Sequence, residues 1–544
     1  MTVGDLIRTR GEREPEGAFI LFEDETLTGA EYLRRALRVA NLLRDRLGDP
    51  PHVAVLMENR LEYLDILGGA ALAGAVVVGV NATRRGPELE RDIRHTDCGL
   101  LVVDEANRAL LDGLSIPPTL IVGSTYEEAL SAADGTDERW MVNEEDLYLL
   151  IFTSGTTGAP KAVRCSHKRM VGTGTMVADL VGLTADDCAY ASLPLFHANP
   201  LMCGLLPALV RGARLALARR FSVSAFLPEV RKHNATYFPY SGKPLSFLVA
   251  SPEGSDDADN PLRICYGNEG STRIVERFEQ RFGVRVIDGF GPSEGAMGFP
   301  RRPGDPPGSV GKPPPNIKVL GADGKECPAA WLGSSGELLN PDQAVGEIVN
   351  TDGVGRFEGY YNNPEAEAAR VRGGMYWSGD LGYVDENGYL YFAGRTEDWI
   401  RVDAENFPPH PIEDVVERHP DVLACAAYGV PDEAAGDRVM IAIQPLPRRI
   451  VDPDELYEFL SGQPDMSPKW FPTYVLVADE LPRGVTGKVL VRELRRAKFL
   501  LDEPRGPVYW RERGETTFKP FTPDDERRLR AAFADSGREH LLAF

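Results

Sequence analysis

The sequence predicts an α/β protein in which a β-rich segment and a small α+β unit follow the main layers. Three observations predict this: alternating helical and strand-like patterns as far as about residue 300, a Pro- and Gly-rich segment at 300–316, and a hairpin pattern at 383–392. At 544 residues, the chain is too long for one compact core. We therefore expect several domain-sized parts.

The alternation before residue 300 indicates α/β layers around a largely parallel sheet. Apolar residues recur at helical spacing over 32–47, 61–72 and 272–282. Short apolar runs typical of strands are HVAVLM (52–57), AVVVGV (75–80), GLLVVD (99–104), RLALA (214–218), ATYFPY (235–240), LRICYG (262–267) and VRVIDGFG (284–291).

The chain changes character after about residue 300. PRRPGDPPGSVGKPPPN (300–316) has too much Pro and Gly for a helix or a central strand. IKVL (317–320), GEIVN (346–350) and the hairpin YVDENGYLYF (383–392), with Asn-Gly at its turn, predict a β-rich part over about 305–395. The segment 394–414 is typical of a linker, and the charged last thirty residues predict a helical or disordered tail.

Composition excludes several classes of protein. A formal charge of −22 disfavours nucleic acid as a partner, because its phosphates would be repelled. Seven scattered cysteines without a CxxC pair favour a reducing interior over a disulfide framework or a zinc site. The N-terminus has no apolar core of a signal peptide, and the apolar run 70–80 is too short to span a bilayer. We expect a soluble, cytoplasmic protein; peripheral membrane contact and oligomerisation are left open.

The most informative segment is LLIFTSGTTGAPKAV (149–163). An apolar strand runs into a loop of glycines and hydroxyl residues that ends on a lysine. Glycines let backbone N–H groups turn toward a ligand, hydroxyls add donors, and the lysine adds positive charge, which together suit a polyphosphate. The spacing is not that of a Walker A loop. The pattern alone leaves open whether Lys161 contacts phosphate or stays on the loop surface.

Four segments, in order, resemble motifs of the adenylate-forming superfamily, which includes acyl-CoA synthetases, luciferases and peptide-synthetase adenylation domains. They are TSGTTGAPK (153–161), GFGPSEG (289–295), YWSGDLGYVDENGYLYFAGRTED (376–398) and PRGVTGKVLVREL (482–494). The resemblance implies a large N-terminal domain of doubly wound sheets with a β-barrel-like subdomain, residues 1–395. A small, mobile α+β C-terminal domain, residues 396–544, would follow. It also implies ATP and coenzyme A as cosubstrates and Mg²⁺ as a metal cofactor.

The resemblance assigns roles residue by residue. Lys488 is the implied catalytic lysine that bridges the substrate carboxylate and the α-phosphate, and Glu294 is the implied Mg²⁺ ligand, a hard oxygen donor that suits this ion. Asp380, in a Gly-Asp-Leu turn, and Arg395 would hold the ribose. The remaining implied nucleotide-binding residues are Thr153, Ser154, Gly155, Thr156, Thr157, Gly158, Lys161, Gly267, Asn268, Glu269, Asp288, Gly289, Phe290, Gly291 and Ser293.

Three further sets of residues concern the acid and the thiol. His197, Tyr240, Ser241 and Gly242 resemble the wall of the acyl pocket. Family members rotate the C-terminal domain after adenylation, which places the hinge at Glu397. Ala404, Glu405 and Asn406 correspond to the loop that approaches pantetheine, where the family usually has glycine instead of Ala404; a Cβ there narrows that approach. Glu405-Asn406 and 267–288 resemble the fatty-acid and very-long-chain acyl-CoA synthetase branch.

Three functions are compatible with the sequence. The first is activation of a fatty or other hydrophobic carboxylic acid to an acyl adenylate and its transfer to coenzyme A. The second is an acyl-AMP ligase that loads a carrier-protein pantetheine, which Ala404 could favour. The third is a catalytically weak lipid-binding or uptake protein; the presence of Glu294, Asp380 and Lys488 argues against it. The chain length or ring character of the acid is not encoded in these motifs.

Overall fold

The computed structural model describes residues 1–544 except 154–160, 242–243, 269–271, 303, 307, 334–337, 396–399, 403–404, 408, 434–435, 464–465, 468, 485–486, 502–504, 513, 537 and 543–544. The chain forms two compact units. The first unit contains residues 1–270, 274–298 and 354–372, and the second unit contains residues 271–273, 299–353 and 373–544.

The helices, in chain order, are α1 Val3–Arg13, α2 Gly29–Arg46, α3 Leu61–Ala73, α4 Gly86–His95, α5 Thr125–Ala132, α6 His167–Val181, α7 Leu206–Arg211, α8 Val223–Lys232, α9 Pro244–Ala250, α10 Thr272–Phe282, α11 Pro341–Ala344, α12 Pro364–Arg370, α13 His410–Val416, α14 Pro453–Ser461, α15 Val491–Ala497 and α16 Pro523–Asp535. Short 3₁₀ helices lie at Arg108–Leu111 and Glu539–Leu541, and a π-helical segment at Pro200–Leu205.

The strands are β1 Ala18–Phe22, β2 Glu25–Thr28, β3 His52–Leu56, β4 Val76–Gly79, β5 Leu100–Val103, β6 Thr119–Ile121, β7 Leu147–Thr153, β8 Lys161–Ser166, β9 Cys188–Ala191, β10 Arg214–Leu217, β11 Tyr237–Ser241, β12 Ile264–Asn268, β13 Arg285–Phe290, β14 Phe299–Pro300, β15 Ser309–Gly311, β16 Ile317–Leu320, β17 Gly346–Asn350, β18 Val371–Arg372, β19 Met375–Val384, β20 Leu390–Arg395, β21 Ile400–Val402, β22 Glu405–Phe407, β23 Val422–Pro431, β24 Asp437–Pro445, β25 Tyr474–Val477, β26 Val508–Trp510 and β27 Lys519–Pro520.

Two largely parallel sheets form the first unit. One has the order β13-β12-β11-β9-β10-β1-β2 and the other β6-β5-β3-β4-β7-β8. The pairs β1/β2 and β7/β8 are antiparallel, and the other neighbours run parallel. Parallel neighbours place their carboxyl ends at one edge, where α/β proteins carry their binding residues. The predicted parallel sheet is therefore present.

The apolar run 70–80 divides into the end of α3 and strand β4, as predicted from its length. All residues of α3 except Glu62 are buried, so this helix has no solvent face and needs none to be stable. A Cβ at Gly68 or Gly69 would lie within 2.8 Å or 2.6 Å of side chains of α2, so glycine permits the close contact of the two helices. Among the described residues, no helix combines the length and apolarity needed to cross a membrane.

The second unit is built from antiparallel strands and a mixed sheet. Its first sheet has the order β15-β20-β19-β17-β16, with the predicted hairpin formed by β19 and β20. Its largest C-terminal sheet, β23-β24-β25-β26-β27, carries buried apolar side chains on both faces. The charged tail is helical: α16 begins with a capping box at Thr522 and buries Phe533.

Candidate active site

Strands β7 and β8 flank the predicted phosphate loop. Thr153, the last residue of β7, is the register partner of Lys161, the first residue of β8, and its hydroxyl lies 3.5 Å from the Lys161 carbonyl oxygen. Lys161 is buried, with 7% of its surface exposed. A lysine loses much of its hydration when it is buried, so it needs a polar partner or a negative charge nearby. Lys161 therefore does not lie on the loop surface.

Three neighbouring parallel strands end with predicted site residues side by side. Tyr240 of β11 pairs with Gly267 of β12, and Gly267 pairs with Asp288 of β13. One residue further along, the same register aligns Ser241, Asn268 and Gly289. Residues predicted separately as acyl-pocket and nucleotide-binding groups thus lie at one sheet edge.

Hydrogen bonds connect these strand ends. The Tyr240 hydroxyl donates to Asp288 over 2.5 Å, and the Ser241 hydroxyl donates to the Asn268 side-chain oxygen over 2.8 Å. Tyr240 is fully buried; burial and the nearby Asp288 carboxylate raise its pKa well above its usual value, so the hydroxyl keeps its proton. A Cβ at Gly267 would lie 2.1 Å from the Tyr240 carbonyl oxygen, so only glycine fits there.

Glu294 lies in a turn that follows β13 and is held by its neighbours. The backbone N–H of Gly295 donates to the Pro292 carbonyl over 2.9 Å, and Gly295 has a φ of +72°, which favours glycine. The guanidinium of Arg169, on α6, donates to the Ser293 carbonyl over 2.6 Å. The Tyr360 hydroxyl donates to the Glu294 carboxylate over 2.9 Å. The carboxylate is half-buried and its backbone is fixed on both sides.

Residues 356–360, which we call the brace, connect this turn to strand β8. At one end the N–H of Arg356 donates to the Gly295 carbonyl over 3.1 Å. At the other end the N–H of Arg164 donates to the Gly359 carbonyl over 3.1 Å. Both the N–H and the hydroxyl of Ser166 donate to Glu358, each over 2.6 Å. The brace therefore contacts both the Glu294 turn and the strand that leaves the phosphate loop.

His197 and Asn199 lie between β9 and the π-helical segment. The Asn199 amide donates to the Tyr240 carbonyl over 2.8 Å, which connects this segment to β11. Burial lowers the pKa of His197 to about 4, so the ring is neutral at pH 7. Within the described part of the chain, His197 Nε2 and Asn199 Oδ1 are buried without a hydrogen-bond partner. Unpaired buried polar atoms are unusual, and a bound ligand is one way to satisfy them.

In the second unit, Asp380 of β19 and Arg395 of β20 are register partners. Gly379, at a φ of +74°, donates its N–H to Glu347 over 2.7 Å, and the N–H of Asp380 donates to the Ser378 hydroxyl over 3.0 Å. These bonds form a local bend that half-buries Asp380. The two predicted ribose-binding residues therefore occupy opposite positions of one hairpin.

Lys488 lies on an exposed loop of the second unit. The Lys488 carbonyl accepts from the N–H of Gly484 over 2.8 Å, and Gly487 has a φ of +79°. The Arg483 guanidinium donates to the Gly487 carbonyl and to the Gln444 side chain, each over 2.8 Å. The loop base is held in place while the lysine itself is exposed.

Several predicted site residues lie outside the described residues: Ser154, Gly155, Thr156, Thr157, Gly158, Gly242, Glu269, Glu397 and Ala404. Glu405 and Asn406 are placed by their backbone in β22, which pairs with β21. Phe290 ends β13, and Gly291 and Ser293 lie in the turn that follows it.

Arg169 and Tyr360 were not predicted from the sequence as site residues. Both lie far from Glu294 in the sequence, by 125 and 66 residues, and neither belongs to the four segments that resemble family motifs. Arg169 is a buried arginine in a helix and Tyr360 is one of two adjacent tyrosines, a pattern that fits ordinary packing equally well. The only signal was the pair of glycines at 355 and 359, which indicates an irregular backbone.

Two family models match the chain. The AMP-binding enzyme model covers residues 7–361, and the AMP-binding enzyme C-terminal domain model covers residues 411–488. The chain therefore belongs to the AMP-binding enzyme family.

Similar proteins cover nearly the whole chain. The medium/long-chain-fatty-acid–CoA ligase FadD17 of Mycobacterium marinum is 43% identical over 90% of this chain and 95% of its own. The steroid-22-oyl-CoA synthetase of Rhodococcus jostii is 43% identical over 94% and 93%. The structure of o-succinylbenzoate CoA synthetase from Bacillus subtilis, in complex with its acyl-adenylate intermediate, has a TM-score of 0.76 at 26% identity, covering 92% of this chain and 98% of that one.

These matches confirm the family, the α/β fold class and the class of enzyme predicted from the sequence, an AMP-forming acid–thiol ligase. Enzymes of that class use ATP and coenzyme A as cosubstrates and Mg²⁺ as a metal cofactor, as predicted.

Proposed function

We propose that the chain activates a fatty or other hydrophobic carboxylic acid with ATP and transfers the acyl group to coenzyme A. The observation that carries this proposal is the alignment of Tyr240, Gly267 and Asp288 at the carboxyl ends of three adjacent strands. Acyl-pocket and nucleotide-binding residues must be neighbours if the carboxylate is to reach the α-phosphate, because positioning supplies much of the rate of such a displacement.

Different residues would bind the adenine, the phosphates and the ribose of ATP. In the first unit, Gly267–Glu269 and Asp288–Pro292 would form the adenine slot, and the loop 153–161 would hold the phosphates. Lys161 is suited to that role because it begins the strand that follows the loop and its ammonium can bind a phosphate oxygen through a charge-assisted hydrogen bond. In the second unit, Asp380 would accept hydrogen bonds from the ribose hydroxyls and Arg395 would donate to the ribose.

Glu294 would hold Mg²⁺ together with the phosphate oxygens of ATP. In the part of the chain that the structure describes, no cluster of three or more His, Cys, Asp or Glu side chains could hold a metal ion. Mg²⁺ in nucleotide sites is commonly bound by one or two carboxylates plus phosphate oxygens, so a single fixed carboxylate fits. When bound, the ion neutralises charge on the phosphates.

The proposed reaction has two half-reactions. In the first, an oxygen of the substrate carboxylate attacks the α-phosphorus, a P–O bond forms, and the bond to pyrophosphate breaks. Lys488 would stabilise the two anions as they meet. In the second, the thiol sulfur of coenzyme A attacks the acyl carbon, the thiol proton goes to solvent, and AMP leaves. No protein nucleophile is required.

A domain rotation would separate the half-reactions. The proposed N-terminal domain ends at residue 395 and the proposed C-terminal domain begins at residue 396. Glu397, just after this boundary, would act as the hinge, and rotation about it would exchange Lys488 for the loop at Ala404, Glu405 and Asn406. Because proline fixes φ, Glu397→Pro should leave adenylation active and slow thioester formation at least tenfold in a stopped assay of each half-reaction. If the variant carries out thioester formation as fast as the wild type does, Glu397 is not the hinge.

The proposed acyl pocket is formed around β11 and the π-helical segment. Tyr240, Ser241 and Gly242 would form one wall, and neutral His197 would lie beside the acid. The relatives act, by their names, on medium- or long-chain fatty acids and on a steroid acid, which supports a large apolar substrate. Neutrality of His197 suits such a site, since a cation there would need a counter-charge. The seven cysteines form no disulfide within the described residues, which supports a cytoplasmic location.

A second candidate is an acyl-AMP ligase that transfers the acyl group to a carrier-protein pantetheine. The observation that favours it is Ala404, where the family usually has glycine. The two relatives that are 43% identical are CoA ligases by name, which supports free coenzyme A.

A carboxylic-acid panel tests the proposal. Pyrophosphate release from ATP and Mg²⁺ is measured for fatty acids of increasing length, a steroid acid and an aromatic acid, with and without coenzyme A. We expect release that depends on the large apolar acids and acyl-CoA formation from free coenzyme A. Acid-dependent release without acyl-CoA would favour the carrier-protein candidate, and no release with any acid would reject both.

A further inference from the structure

We propose that Tyr360 is a positioning residue that fixes the carboxylate of Glu294 for the Mg²⁺–ATP complex. This inference rests on the proposed role of Glu294. Glu294 supplies the contact with the metal, and Tyr360 acts only through it.

The geometry restricts the carboxylate directly. The Tyr360 hydroxyl donates to one oxygen of Glu294, Oε1, over 2.9 Å. A glutamate side chain has three rotatable torsions, and a hydrogen bond at its end removes much of that freedom before the metal arrives. One oxygen is then occupied by the hydroxyl proton and the other is left for a cation. A neutral phenol donates without adding a positive charge, so the carboxylate keeps its attraction for Mg²⁺.

Tyr360 can fix Glu294 only if it is itself fixed, and the brace provides this. Tyr360 forms a backbone bridge with Val163 of β8, and the preceding residues are bonded to β8 through Gly359 and Glu358. The ring of Tyr360 is buried and packs edge-on against Phe357 at a centroid distance of 5.0 Å. The hydroxyl therefore extends from a rigid support.

Two glycines allow the backbone of the brace and of the residue before it to adopt its conformation. Gly355 has a φ of +58°, and a Cβ there would lie 2.3 Å from the Ala296 carbonyl oxygen, next to the Glu294 turn. Gly359 has a φ of +89°, and its Cβ would lie 2.5 Å from the Glu367 carboxylate. Both positions favour glycine on backbone conformation and on space. Gly355 thus lets the backbone approach the Glu294 turn closely, and Gly359 lets it pass beside Glu367.

The brace also explains why the metal and the phosphates would be held in one geometry. Strand β8 begins at Lys161 at the end of the phosphate loop, and the brace contacts β8 and the Glu294 turn at once. A shift of either one would be resisted by the other, because packed side chains and backbone bonds transmit strain. Within the brace, Tyr360 is the residue whose side chain contacts the Glu294 carboxylate.

The test uses Tyr360→Phe, which removes one oxygen atom and keeps the ring. Its matched control is Tyr361→Phe, because the adjacent hydroxyl donates instead to Asp97 over 3.0 Å on the exposed surface. Binding of Mn²⁺ to each purified protein is titrated by electron paramagnetic resonance in the presence of α,β-methylene-ATP, which the enzyme cannot cleave. We expect Tyr360→Phe to weaken Mn²⁺ binding about tenfold to a hundredfold, the effect of losing a hydrogen bond to a charged group. Tyr361→Phe should bind as the wild type does.

A second background separates positioning from a general structural effect. In Glu294→Gln the metal contact is already weakened, so adding Tyr360→Phe should cost less than twofold further in Mn²⁺ affinity, whereas two independent effects would multiply. An equal loss in both backgrounds, or wild-type affinity in Tyr360→Phe, would overturn the role of Tyr360. If Glu294→Gln itself binds Mn²⁺–nucleotide as the wild type does, the proposed role of Glu294 is overturned as well. Unchanged melting temperatures identify folded variants.

Discussion

The Glu294 turn and the Lys488 loop differ in how firmly the structure holds them. Glu294 is held by contacts from α6, from the brace and from its own turn. Lys488 is exposed and lies on a loop whose base is fixed by Arg483. The Glu294 turn is therefore preorganised, whereas Lys488 lies on the surface of its unit.

This difference fits the proposed chemistry. A metal ligand serves best when its position is fixed before the metal binds, because the ordering entropy is then lost on folding and not on binding. A lysine that acts in one half-reaction and leaves in the next must be able to change its surroundings, and an exposed position such as that of Lys488 suits this. Substitution of Lys488 should therefore lower activity without lowering stability, whereas substitutions that disturb the Glu294 turn should lower stability as well.

The largest effect is expected from Lys488→Ala. Adenylation should fall about 10²–10³-fold, the usual cost of removing one charge-stabilising group, while the free energy of unfolding stays within about 0.5 kcal/mol because the side chain is exposed. Acid-dependent ATP–pyrophosphate exchange measures the first quantity and urea unfolding the second. Thioester formation from preformed acyl adenylate should be largely retained.

The control for this variant is Lys325→Ala, which removes another exposed lysine of the second unit and should change neither half-reaction. Equal loss of both half-reactions in Lys488→Ala would contradict a role confined to adenylation.

Arg169→Met tests the preorganised region. The variant leaves the carbonyls of Ser293 and Arg164 without their donor, so we expect a loss of about 2–4 kcal/mol in the free energy of unfolding and a higher KM for MgATP. Arg108→Met, which removes an exposed arginine, should change stability by no more than about 0.5 kcal/mol. Wild-type stability in Arg169→Met would show that the turn does not depend on this contact.

Gly267→Ala tests the sheet edge and has the smallest expected effect. Its Cβ would clash with the Tyr240 carbonyl, so we expect a loss of about 1–3 kcal/mol and weaker ATP binding by calorimetry. Gly172→Ala, in the middle of α6 with open space around the new Cβ, should instead stabilise by about 0.5–1 kcal/mol. The same sign for both variants would indicate that general helix or strand propensity dominates.

Local sequence patterns predicted the fold well where one element decides its own structure. The amphipathic pattern at 272–282 coincides with α10, and the Asn-Gly hairpin with β19 and β20. The buried run of α3 and β4 followed from its length and its glycines. The sequence did not decide whether the tail is helical or disordered. Its many charged residues fit either a disordered segment or the solvent face of a helix, and the helix is stabilised by the burial of Phe533.

The site was predictable only as a set of separate motifs. Glycine-rich loops and their charged residues are local patterns, so Glu294, Asp380 and Lys488 could be singled out. The register that aligns Tyr240, Gly267 and Asp288 depends on pairing of distant strands. The contacts of Arg169 and Tyr360 with the Glu294 turn depend on long-range packing, which a single sequence does not encode at any fixed spacing.

The most direct test of the central claim is a product balance for the purified chain with ATP, Mg²⁺, free coenzyme A and a medium- or long-chain fatty acid. AMP, pyrophosphate and acyl-CoA are quantified in one reaction by liquid chromatography. We expect the three products to form in equal amounts and omission of the acid to abolish all of them. Formation of AMP and pyrophosphate without acyl-CoA, or no acid-dependent product at all, would contradict it.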